Sequence, residues 1–176
     1  YQLAMKAMEA GKHVFVEKPA ALNEEQLLQL ESALSEGDGQ FLVGYNRRYS
    51  KLCETLRGEL SDQAPLIIHY QVCVPTIPSD HWTLDPVEGG GRLIGEAEHF
   101  FDTCNYLVGS APTACSARCL LGGDETIDSQ YNFSVDLQYG QNALATVIYT
   151  GFAAPGTPRE RITVHQSGKS WELVDF

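Results

Sequence analysis

His13-Val14-Phe15-Val16-Glu17-Lys18-Pro19 and, one helix later, Phe41-Leu42-Val43-Gly44-Tyr45-Asn46-Arg47-Arg48 are the two stretches that decide the fold. Each begins as a short β-rich run and ends in a polar cluster. Proline cannot donate to a sheet ladder and disfavours helical backbone in the residue before it. Pro19 therefore ends the first strand and leaves Lys18 extended at its carboxyl tip. Ahead of this strand, Leu3, Ala4, Ala7 and Met8 fall at helical spacing over residues 1–10, and Gly11 stands where a left-handed cap would close the helix. Between the two strands, Asn23 and Gln26 form a capping-box pattern, and Leu27, Leu30 and Leu34 share one face until Gly37. Helix, strand, helix, strand is the alternation of a parallel α/β sheet, whose ligands gather beyond the carboxyl ends of the strands. Both polar clusters occupy that edge.

Further along, Leu52, Leu56 and Leu60 mark a helix, and Pro65 introduces a strand over 66–74. A long loop, 75–91, carries Asp80, His81, Trp82, Asp85 and Gly89-Gly90-Gly91; loops of this length inside compact domains are usually functional. The triglycine lacks the preceding strand and the GxGxxG arrangement of a phosphate loop, and reads as a turn that lets backbone approach the next helix. That helix spans 93–108, with Leu93, Ala97, Phe100, Phe101, Cys104, Leu107 and Val108 at helical spacing and Gly109 closing it. From Thr113 onward only strands are predicted, at 113–121, 129–138, 143–151, 160–166 and 170–176. Gly122-Gly123-Asp124 and Gly140-Gln141-Asn142 are among the turns between them. Connections this short join antiparallel neighbours. The fold class is α+β: a remnant of a parallel α/β domain over 1–48, then an open, mostly antiparallel sheet over 49–176, with helices packed on one face.

The 176 residues carry 12 Lys and Arg against 23 Asp and Glu, a formal charge of −11. A field this negative repels phosphate backbones and anionic lipid surfaces, so no nucleic-acid partner is expected. No apolar run approaches the ~20 residues that span a bilayer, so no membrane partner is expected either. At this length folding buries roughly 70% of the unfolded surface, enough for a core without staples. Cys53, Cys73, Cys104, Cys115 and Cys119 form no CxxC pair, and no apolar leader precedes them; reduced thiols in a cytoplasmic protein are the expectation. Cys115 and Cys119 would share one side of a strand, as buried small hydrophobes. The chain opens at Tyr1 inside a helical pattern and ends on a strand at Phe176, as a fragment of a longer protein would.

Residues 10–19 ending in Glu17-Lys18-Pro19, then Val43 to Arg48, then Gly89-Gly90-Gly91 before a helix with His99 and Asp102, together resemble the glucose-fructose oxidoreductase / inositol dehydrogenase / rhizopine-catabolism (Gfo/Idh/MocA) family. Gly90-Gly91-Arg92-Leu93-Ile94-Gly95-Glu96-Ala97 also resembles a subgroup fused to a zinc-type alcohol dehydrogenase. The resemblance covers nearly the whole chain. It implies the end of a dinucleotide-binding domain followed by a substrate and oligomerisation domain, with NAD or NADP as cofactor, a sugar, cyclitol or related polyol as substrate, and homo-oligomers formed through the open sheet face. It also implies a Gly-rich nucleotide turn upstream of Tyr1, so that the chain alone is inactive.

The resemblance implies catalytic roles for Lys18 and His99. An ammonium at Lys18 can hydrogen-bond a developing alkoxide, and a neutral His99 can accept the hydroxyl proton as hydride leaves. Glu17, Lys18, Pro19, Asn46 and Arg47 are the expected cofactor contacts, and Asp102, Arg48, Trp82 and Glu96 the expected substrate contacts. Asp102, three residues after His99, shares its helical face. Arg47 and Arg48 suit bidentate capture of a carboxylate or phosphate; the plainer alternative is that one makes an interdomain salt bridge and the other is solvated. Tyr45 suits packing as well as binding. Asp80, His81 and Trp82 suit a sugar-binding wall. The family commonly carries an Asp four residues before its His, whereas this chain has Gly95. Glu96 points about 100° away on an ideal helix and substitutes only if the backbone shifts. That departure leaves room for altered substrate choice or for a noncatalytic binding or assembly domain. Asp80, His81, Glu96, His99 and Asp102 are also metal-ligand types, but they lack HxH or HExxH spacing, so no metal site is expected.

Overall fold

The computed structural model describes residues 1–120 and 130–176. Its contacts divide the chain into two compact units, Tyr1–Tyr45 with Asp80–Glu98, and Asn46–Ser79 with His99–Phe176.

In the first unit, helix α1 (Gln2–Glu9) leads to strand β1 (Val14–Val16), helix α2 (Glu24–Glu36) and strand β2 (Phe41–Val43). β1 and β2 pair in parallel, Val14 opposite Phe41 and Val16 opposite Val43, as the alternation predicts. Gly11 takes the left-handed backbone (φ 67°) that ends α1. The Asn23 side chain accepts from the Gln26 amide at 2.9 Å, as the capping-box pattern predicts, while the Gln26 side chain reaches one residue past the cap to accept from the Leu22 amide at 2.9 Å. The unit also holds a 3-10 turn (Trp82–Leu84) and a π-helical turn (Leu93–Ala97), the latter running into helix α4 (Glu98–Val108).

In the second unit, a 3-10 turn (Arg47–Tyr49) precedes helix α3 (Lys51–Glu59), which the Ser50 side chain caps at the Cys53 amide, 3.1 Å. The sheet comprises β3 (Leu66–Cys73), β4 (Ala114–Cys119), β5 (Asn132–Tyr139), β6 (Ala143–Thr150), β7 (Glu160–Gln166) and β8 (Lys169–Val174). Its order is β4-β5-β6-β3-β7-β8, antiparallel throughout except for the parallel pair β3 and β6. The turn expected at Gly122-Gly123-Asp124 lies outside the described residues.

Alternation sorts the sheet into two faces. Val135, Val147, Tyr70, Ile162 and Leu173 stand in register across β5, β6, β3, β7 and β8, and all are buried. The buried Phe100 of α4 meets Tyr70 edge-on at 5.2 Å, and Cys104 and Leu107 are buried on the same helix. Burial holds the Cys104 thiol up to about 12 and raises that of Cys53, so both remain neutral packing groups. Cys115 and Cys119, expected inside, are exposed: β4 is an edge strand exposed along its whole length.

Beneath the sheet's inner face lies an ionic centre. Arg47 donates to both oxygens of Glu160 at 2.7 and 2.6 Å, the Tyr70 hydroxyl donates to the same carboxylate at 2.5 Å, and the guanidinium sits 5.0 Å from the Phe100 ring. Side-chain exposure is 14% for Arg47 and 10% for Glu160, so removing one partner strands the other charge away from water. Arg47→Met is expected to lower the unfolding free energy by about 3–5 kcal/mol in urea titrations. Adding Glu160→Gln should recover part of that loss, and strict additivity of the two changes would show that the charges are not coupled.

Candidate active site

The Glu17-Lys18-Pro19 turn follows β1 directly, so Lys18 stands at the carboxyl end of a parallel strand, as the sequence implies. The Lys18–Pro19 peptide bond is cis, Glu17 is exposed, and Lys18 and Pro19 are half-buried. The Lys18 ammonium donates to the main-chain carbonyl of Gly95. Gly95 belongs to the π-helical turn Leu93–Ala97, a widened turn of the sort that recurs at functional positions.

A packing constraint explains why residue 95 is glycine. A Cβ there would lie 2.6 Å from the carbonyl oxygen of Gly89, and a Cβ on Gly89 would lie 2.4 Å from the Cα of Thr83. The backbones at 83, 89 and 95 are therefore stacked at a spacing that excludes side chains. Local bonds hold the loop in place. The Asp85 carboxylate accepts from the amides of Val87 (2.7 Å) and Glu88 (3.0 Å), and its carbonyl accepts from those of Gly89 and Gly90, both at 2.9 Å. Gly90 and Gly91 then take left-handed backbone, φ 73° and 75°, which is the turn read from the sequence.

The local backbone does depart from an ideal α-helix, the condition set for Glu96. Its carboxylate nevertheless goes elsewhere: Glu96 is buried and paired with Arg92 at 3.0 Å. Two residues on, Glu98 accepts from the Tyr45 hydroxyl at 3.1 Å. Burial raises the Glu98 carboxyl above the usual range, outweighing the Tyr45 hydrogen bond and the Lys18 charge, which both lower it. Tyr45, Ile94 and Glu98 line one wall of a cavity of about 680 Å³ whose other walls include Leu27, Leu30 and Val43. Trp82 is 60% exposed and stacks on His81 at 6.1 Å, and Asp80 is exposed.

In the second unit, His99 is 8% exposed in the first turn of α4, and its carbonyl accepts from the Thr103 hydroxyl at 2.7 Å. Asp102 is gripped in bidentate fashion by Arg48, whose guanidinium lies 5.5 Å from the Tyr106 ring. That carboxylate raises the Arg48 pKa. The two arginines do make the bidentate contacts their chemistry suits, with Glu160 and Asp102 of their own unit as partners. Asn46 is exposed, and its carbonyl accepts from the Tyr49 amide at 3.1 Å. Among the described residues, no three His, Cys, Asp or Glu side chains gather as a metal site, and no helix is long and apolar enough to cross a membrane.

Two family profiles match the chain. One, described as "Oxidoreductase family, NAD-binding Rossmann fold", covers residues 1–45, and the other, "GFO/IDH/MocA C-terminal domain", covers residues 63–172. The chain belongs to the Gfo/Idh/MocA oxidoreductase family. Among curated Gfo/Idh/MocA relatives, the inositol 2-dehydrogenase of Rhizobium meliloti is 28% identical over 165 residues, 90% of this chain and 48% of its own length. The scyllo-inositol 2-dehydrogenase (NADP(+)) IolW of Bacillus subtilis is 28% identical over 170 residues, 92% of this chain and 46% of its own. The chain thus spans about half the length of these relatives. The same fold appears in a putative myo-inositol dehydrogenase from Sinorhizobium meliloti (TM-score 0.80, 24% identity, 97% of this chain and 53% of that one). It also appears in the WlbA dehydrogenase from Bordetella pertussis in complex with NADH and UDP-GlcNAcA (TM-score 0.80, 19% identity, 98% and 51%).

The buried carboxylate at this place that sequence reading passed over is Glu98. The available signal was its position three residues beyond Gly95, within one helical turn of the missing family Asp. In this Gfo/Idh/MocA chain, Gly95→Asp would drive a Cβ into the Gly89 carbonyl, an overpacking that costs about 1–3 kcal/mol. A clear fall in thermal midpoint is expected, whereas Gly58→Ala, with no atom within 4 Å of the new Cβ, should hold or raise it. An unchanged midpoint for Gly95→Asp would mean that the 83–89–95 stack is not tight.

Proposed function

We propose that this chain is the second half of an NAD(P)-dependent dehydrogenase that moves hydride between the dinucleotide and a hydroxyl or carbonyl carbon of a sugar, cyclitol or related polyol. The observation that carries the reading is the Lys18 ammonium, presented at the carboxyl end of β1 and fixed on the Gly95 carbonyl. The two inositol dehydrogenase relatives support it and make inositols the first substrates to try.

The Glu17-Lys18-Pro19 turn fits the nicotinamide end of a dinucleotide, because an exposed carboxylate and a half-buried ammonium stand at a parallel strand's carboxyl edge, where such ligands lie. The 176 residues contain no GxGxxG, and no group here is assigned to the pyrophosphate. NAD(P), when bound, supplies the hydride acceptor or donor. Lys18 stabilises negative charge developing on the substrate oxygen, and His99 takes or returns the hydroxyl proton. Asp102 keeps Arg48 in place behind the first turn of α4, and Trp82 offers an exposed aromatic face to the apolar side of a ring substrate.

Assembly with a second copy is part of the same proposal. The outer sheet face exposes Ile67, Leu144, Ile148 and Val174 among His69, Arg161 and His165. Tyr70, Tyr139 and Tyr149 lie on the other, buried side of the sheet, opposite Val147, Ala143 and Phe133. Gly95 favours a second reading, a noncatalytic binding domain of the same fold. Turnover separates the two. With the intact parent protein, NAD or NADP and an inositol, Lys18→Met and His99→Ala are each expected to lower kcat about 10²–10⁴-fold. The 176-residue chain alone should fail to bind NADH at micromolar concentration. A parent whose rate is indifferent to His99→Ala is a binding module.

A further inference from the structure

We propose that Glu98, oriented by the Tyr45 hydroxyl, is the carboxylate partner of Lys18 and a positioning residue for its ammonium, in a role that residue 95 is sterically barred from taking. This inference rests on Lys18 being the catalytic cation of the proposed dehydrogenase.

Three observations meet at this point. First, the stacking of Gly89 on Gly95 leaves no room for a side chain at 95, 2.6 Å being well inside any real Cβ contact, so the segment facing Lys18 offers it only a main-chain oxygen at that position. Second, Glu98 follows within one turn, and it lines the same cavity as Ile94, the neighbour of Gly95. Third, Glu98 is held rather than loose: the Tyr45 hydroxyl donates to its Oε2 at 3.1 Å.

Lys18 lowers the Glu98 pKa through space, so the pair is electrostatically coupled across β1's tip and the helix start. The other carboxylates lining the cavity, Glu24 and Glu31, come from α2. Burial nonetheless leaves Glu98 above the ordinary carboxylate range. A carboxylate with a raised folded-state pKa costs stability as pH rises from its unfolded value through its folded one. Glu98→Gln, which keeps the acceptor for Tyr45, should therefore fold as well as the wild type or better at neutral pH. That makes it a clean probe of function.

The charge-neutral lysine variant supplies the decisive readout. In the intact protein with 13C-labelled glutamate carboxyls, Glu98 (assigned by its absence in Glu98→Gln) should titrate above ordinary glutamates. It should move further up in both Lys18→Met and Tyr45→Phe. A Glu98 titration that does not respond to Lys18→Met overturns the pairing. In the parent with dinucleotide and inositol, Glu98→Gln should lower kcat roughly tenfold to a hundredfold with KM little changed, as expected when a reacting group is misplaced. Glu98→Asp should recover part of that loss. Full kcat in Glu98→Gln alongside a disabled Lys18→Met overturns this proposal while leaving the dehydrogenase reading intact. A wild-type parent without turnover removes the dehydrogenase reading, and the titration still decides the pairing.

Discussion

A single main-chain oxygen organises the first unit: the carbonyl of Gly95, which receives the Lys18 ammonium. Several features converge on it. Pro19 ends β1 so that Lys18 lies at the strand's tip, the turn Leu93–Ala97 opens to π geometry, and Gly89 approaches so closely that residue 95 can carry no Cβ. A carbonyl acceptor restrains the ammonium while leaving it charged. A group that must answer charge developing on a substrate oxygen needs that combination.

The parts of this arrangement legible in the sequence were those that local rules dictate. Period and punctuation placed β1, α2, β2 and the strands from 114 onward, and Asn23, Gly11 and Gly109 marked helix ends through capping chemistry that depends only on near neighbours. What the pattern could not carry were the long-range pairings. Arg47 meets Glu160 across 113 positions and Arg48 meets Asp102 across 54, separations at which spacing holds no information about partners. The π-turn was equally hidden, and so was the close approach of Gly89 to Gly95 within it, because neither leaves a mark in local spacing.

The two units divide their ionic chemistry in a consistent way. In the second, Arg47 and Arg48 are spent on carboxylates of the same unit, one of them beneath aromatic rings, which makes the sheet and its helices a rigid support. In the first, Lys18 donates to the Gly95 carbonyl, the Tyr45 hydroxyl donates to Glu98, and burial raises the Glu98 carboxyl above the usual range.

The most direct measurement is isotopic. The intact parent protein is incubated with an inositol carrying deuterium at its carbinol carbons and with the oxidised dinucleotide, and the position of the label is read by NMR. Deuterium on the nicotinamide ring of the reduced product is the predicted result. Loss of the label to solvent, or its retention on an unreacted polyol under conditions where the protein binds dinucleotide, would contradict hydride transfer and with it the role given to Lys18.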